Sequence, residues 1–167
     1  MLAADVRKRT RLKHGVRLHM RPHDFYLRVA YVLSGCQLVE QELKLYISEA
    51  LELVQKCVAG RVAFTMSGDD YKDTPLGRLI DTFKKLSDNT ALVAELRKFK
   101  TERDFLSHKD ITRCLDPDGE LDDAAVTQFG ERLSKVQPEA ERLCTAIHEE
   151  ANKFRGHLWF GEWPDAG

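Results

Sequence analysis

The sequence predicts an all-α fold, an antiparallel bundle of four to five helices. Two long stretches, about 23–58 and 122–157, repeat apolar residues at alternating spacings of three and four. Two shorter amphipathic stretches between them carry helix start and stop signals. Only 10 Gly and 5 Pro interrupt 167 residues that are 43% hydrophobic and 32% charged, a globular composition of single-domain size.

Residues 1–22 form a basic arm. Arg7, Lys8, Arg9, Arg11, Lys13, Arg17 and Arg21 stand against Asp5 alone, while the whole chain carries −1. Such an arm suits nonspecific contact with phosphates; the alternative is a disordered leader, with Met20 as the true start. The arm lacks the apolar segment and small-residue cleavage site of a secretory signal. No run of about 18 apolar residues exists to span a bilayer, so a cytoplasmic protein with no membrane partner is expected.

The helical domain is placed at 23–157. In its first helix Val29, Val32, Cys36, Val39, Leu43, Tyr46, Ala50, Leu53 and Cys57 form one seam, and Pro22 suits the first helical position. Residues 59–74 break the pattern through Gly60, Gly68, Asp69 and Asp70, although 61–66 are apolar enough for a short strand or an extra turn. Thr74 as N-cap and Pro75 then start a short helix, 76–86, with Leu79, Ile80, Phe83 and Leu86 on its apolar face. Ser87, Asp88 and Asn89 end it and offer a cap to the next helix, 90–114.

A turn is expected at Asp116, Pro117, Asp118 and Gly119. Its carboxylates resemble the opening of a calcium loop, but the later ligand positions do not fit. The last helix follows Val126, Phe129, Leu133, Val136, Ala140, Leu143, Ile147 and Phe154, with Pro138 expected to kink or restart it. Residues 158–167, rich in aromatics, read as a nonhelical tail that folds back over the bundle.

Most catalytic signatures are missing. The chain has no Gly-rich phosphate loop, no nucleophile elbow and no His-Glu-x-x-His. Cys36, Cys57, Cys114 and Cys144 form no Cys-x-x-Cys pair and read as reduced core residues. His148, Glu149 and Glu150 read as a solvated helix face. No metal or cofactor is expected.

One position breaks the bland pattern. The third helix's apolar stripe passes through Leu92, Leu96, Phe99, 103 and Leu106, and position 103 is Arg103. A guanidinium is rarely buried without a partner. Either it meets a carboxylate inside the bundle, or the stripe opens onto a polar cleft. His108 lies five residues on, about 140° around an ideal helix, so the two converge only if Arg103 reaches round or the helix loosens near Ser107.

The segment Lys100-Thr-Glu-Arg103-Asp104-Phe-Leu-Ser-His108-Lys109 resembles the signature of the HEPN superfamily: Arg, a polar residue, then His after four to six positions. The layout of 23–157 is similar to that family's bundle, including the short Gly77–Ile80 segment. The resemblance implies a homodimer whose paired motifs cut RNA without metal, in a toxin or phage-defence setting, with an antitoxin or regulatory protein as a further partner. His108 would serve as general base or acid and Arg103 would grip the scissile phosphate. Asp104 would orient one of them, and Lys109 with Arg7, Arg9, Arg11 and Lys13 would contact the RNA. The Tyr that some toxin members carry two positions after His is replaced by Asp110, which puts neutralisation through that residue in doubt.

Other readings stand beside this one. Arg103 pinned by Glu40 or Glu42, with His108 capping a helix end, gives a noncatalytic helical module that binds nucleotide or protein. A regulatory dimer with no ligand of its own is the third.

Overall fold

The computed structural model describes residues 21–108, 114, 115 and 121–161, and His108 by its backbone alone. The arm cations Arg7, Arg9, Arg11 and Lys13, together with Lys109 and the turn at 116–119, lie outside the described residues. The described chain is helical: α1 is Pro22–Val58, α2 Leu76–Leu86, α3 Thr90–His108 and α4 Asp123–Phe160, with one 3-10 turn at Gly68–Tyr71. Its one β-type pairing is the isolated bridge between Leu115 and Leu121.

Each boundary has a local cause. Pro22 occupies the first position of α1, where its missing N–H has no partner to lose. Pro75 itself is the N-cap of α2, one residue later than expected; its extended backbone places its carbonyl to accept from the amides of Arg78 and Leu79. Asn89 caps α3, its Oδ1 accepting from the Leu92 amide at 3.0 Å. Asp122 caps α4 by accepting from the Ala124 amide.

Two expectations for the ends are corrected. Cys114 is outside the α-helix expected to reach it, and its carbonyl accepts from the Asp122 amide at 2.8 Å. Helix α4 runs through Leu158, Trp159 and Phe160, and stops at Gly161 with φ +65°, a left-handed end that glycine adopts without strain. Leu158 is buried, but Trp159 and Phe160 are 64% and 76% exposed and do not fold back over the bundle. Pro138 sits within the continuous α4 and does not restart it.

The two long helices run parallel, which corrects the antiparallel expectation for the largest pair. Phe25 stacks on Phe129, Gly35 faces Ala140, Tyr46 meets Phe154 and Glu49 pairs with Arg155, both numbers rising together. Helix α3 is antiparallel to α4 and to α2: Glu95 pairs with Arg142 and Glu102 with Arg132 on α4, and on α2 Arg97 pairs with Asp81 while Lys100 lies against Gly77. The connection 59–75 therefore descends along α1, where Gly68 lies so close to Ser48 that a Cβ would stand 2.2 Å from its hydroxyl oxygen.

The seam on α1 drifts. Residues 29–50 of the seam are buried as expected, but Leu53 is half-buried and Cys57 exposed, while Ile47 and Leu51 are buried instead. A strict heptad falls behind a straight α-helix by about 20° per repeat, so four heptads turn it about 80° off the core. The same drift leaves Phe154 half-buried on α4 and brings Glu150, Ala151, Arg155 and Leu158 inside.

Candidate functional site

Helix α3 carries the motif along the core's edge. Leu92, Leu96, Phe99 and Leu106 bury its inner face, and Arg103 takes the gap in that stripe. Its guanidinium reaches Glu40 of α1 at 2.9 Å and Asp104 at 3.4 Å, and its side chain is 29% exposed against 16% for Glu40. Of the two carboxylates the sequence offered, Glu40 is thus the partner.

The quality of this pairing matters more than its existence. Glu40 Oε1 is close enough for Coulomb attraction but accepts no aligned hydrogen bond. Among the described residues the guanidinium's single hydrogen bond goes to Asp104 and is long, 3.4 Å. A guanidinium has five N–H donors in a fixed fork, and most of those on Arg103 have no partner among the described residues. Contrast Arg155, 5% exposed, which donates to Glu49 and Asn152 and meets His148 at 3.0 Å. Contrast also Arg142, held between Glu95 and Glu139.

Asp104 is drawn the other way. It accepts a hydrogen bond from Lys100 one turn back, which together with the Lys100 charge and Arg103 holds its carboxyl below the usual range. The Ser107 hydroxyl donates to the Arg103 carbonyl at 2.9 Å, so it turns back onto its own helix. Cys36 of α1 lies near the pair; burial pushes its thiol up to about 11 against the opposing pull of Arg103. The structure therefore brings Arg103 and Asp104 together with Glu40 and Lys100, while the side chain of His108 is outside what it describes.

On its other side α3 forms an open groove with α4, about 650 Å³, floored by Phe99 and Val136. That volume suits a small-molecule or nucleotide-sized ligand. Lys98 and Lys135 line it and make no ion pair among the described residues, whereas Glu102 is bound bidentately by Arg132, which also stacks on Phe105.

Sequence reasoning missed a polar knot at the other end of α3. Glu150, expected on a solvated face, is 4% exposed and accepts from Ser87, Asn89 and Lys153. Burial alone would raise its carboxyl, but those three hydrogen bonds win and its pKa is lowered. A signal was present: position 150 continues the 140–143–147 spacing of the core seam.

Among the described residues no helix is long and apolar enough to cross a membrane, and no group of three His, Cys, Asp or Glu could hold a metal ion. Compared with protein-family models, with curated proteins and with solved structures, the chain gives no match.

Proposed function

We propose that this chain is a metal-independent endoribonuclease of the toxin or phage-defence type, acting as a homodimer with Arg103 and His108 of each copy in the reacting site. The observation that supports this reading is the loosely engaged guanidinium: Arg103 is held half-buried by attraction to Glu40, with one long hydrogen bond among the described residues. That arrangement keeps a cation on a rigid helix, ready to exchange a loosely bound carboxylate for a phosphate. His108 ends the same helix and takes the role of general base or acid, since imidazole titrates near neutrality. Asp104 and Glu40 position the guanidinium. The arm cations and Lys109 hold the RNA backbone away from the reacting phosphate.

The experiment is cleavage of transfer RNA in excess chelator by wild type, Arg103→Ala and Glu40→Gln. Arg103→Ala should lose activity by at least 100-fold, the scale of removing one charge-stabilising donor. Glu40→Gln should lose less, because it keeps the side chain but removes the charge that positions the guanidinium. Cleavage by Arg103→Ala at the wild-type rate sinks the assignment.

The ion pair itself favours a second reading, in which Arg103 is a strut between α3 and α1 in a noncatalytic module that binds nucleotide or protein. Under that reading Arg103→Ala and Glu40→Gln both weaken the fold and neither protein nor its variants cleave RNA.

A further inference from the structure

Helix α1 has a second apolar face, opposite its core seam. Leu27, Tyr31, Leu38 and Leu45 are 56%, 61%, 61% and 44% exposed. Their spacings of four, seven and seven place them within about 40° of one line along the helix. Residues 29–39 contain no charged side chain, so this strip lacks the solvated charges usual on an outward helix face. It lies away from α3, whose Arg103 contacts α1 through Glu40 on the far side.

We propose that a second copy of this chain covers the strip, α1 packing antiparallel against the partner's α1 about a two-fold axis beside position 36. Such an interface must be self-complementary. In this register Leu27 opposes the partner's Leu45, Tyr31 opposes the partner's Gln41, and Leu38 opposes the partner's Ser34. The apolar residues then meet apolar or uncharged polar ones along the whole strip.

Charge selects the same orientation. Arg28 and Glu42 flank the strip on one edge, and the antiparallel register brings each within a turn of the opposite charge on the other copy. A parallel two-fold pairing would put the two copies' Arg28 and Glu42 on opposite edges of the contact, where neither meets the opposite charge.

The area is that of a small, reversible dimer contact. Each of the four side chains leaves on the order of 100 Å² in water, about 800 Å² for two copies. With Ala30, Ser34 and Gln41 between them, the contact approaches the roughly 1,200 Å² at which specific dimers begin.

This contact does not rest on the ribonuclease reading, because it leaves the Arg103 side of α1 uncovered. Should the motifs also pair, the two contacts together build a tetramer.

The test is the solution mass of the full chain by sedimentation equilibrium. Leu38→Glu should halve the mass with an unchanged helical circular dichroism spectrum. Arg28→Glu should also halve it, and adding Glu42→Arg should restore it. A wild-type monomer, or an unchanged mass in Leu38→Glu, would overturn the proposal. A double charge swap that stays halved would overturn the antiparallel register. RNA cleavage is measured separately on the same samples, so loss of the contact and loss of the catalytic assignment are distinguishable.

Discussion

Three arginines show how differently one residue type can be used in a single bundle. Arg155 and Arg142 spend their donors on carboxylates, whereas Arg103 holds Glu40 by charge with little directed bonding. Arg155→Ala should therefore cost about 3–5 kcal/mol, since it removes a buried guanidinium and leaves the mostly buried Glu49 without its cation. Arg103→Ala should cost only about 1–2 kcal/mol, because the Arg103 side chain is 29% exposed against 6% for Arg155 and makes fewer hydrogen bonds among the described residues. Urea unfolding of the two variants checks the order, and equal costs would contradict it. That Arg103 needed a partner was legible in the sequence, since it interrupts an apolar stripe. Which carboxylate answered was not, because Glu40 and Glu42 lie about 200° apart on α1 and only the packing angle chooses between them.

Glu150 makes a pH-dependent contribution at the same scale. Its folded carboxyl titrates below the ordinary 4.5, so the unfolded state binds the proton more tightly. Its stabilising effect is full above that value and is lost as pH falls through the depressed one. Glu150→Gln should flatten the acid limb of the stability profile below pH 4.5, the ordinary carboxyl value, and cost about 2 kcal/mol at neutral pH. An unchanged acid slope would rule out this residue as its source.

At the scale of the element, caps and seams account for most of the architecture. Asn89 should be worth about 1 kcal/mol to α3, read as the loss on Asn89→Ala. Pro138 stays inside α4 although it cannot donate to the carbonyl of residue 134. Pro138→Ala should then raise the thermal midpoint, with a gain of about 1–3 kcal/mol; a loss would mean that the fold needs the proline. Helix existence and the order of elements were legible from periodicity and from Pro22, Pro75 and Asn89. The later course of each long seam was not, because reading strict heptads ignores the drift that exposes Cys57 and buries Leu51 and Arg155.

For the whole molecule, direction was the hidden quantity. An apolar stripe presents the same residues to a partner running either way, so the parallel course of α1 and α4 emerges only from cross-helix pairs such as Glu49 with Arg155. The packing sorts the four free thiols: Cys57 is exposed, Cys144 half-buried, and Cys36 and Cys114 buried. Thiol labelling of the native protein should find one fast site at Cys57, with Cys36 protected both by burial and by a pKa pushed up to about 11. Four fast sites would contradict the packing of α1 against α4.

The most direct test of the functional account is cleavage of total and transfer RNA by the purified chain in excess chelator, wild type beside His108→Ala. Cleavage by wild type alone, leaving cyclic-phosphate ends, is the predicted result and places His108 at the reacting phosphate. Failure of the folded wild type to cleave either RNA would contradict the account and leave Arg103 as a strut between α3 and α1.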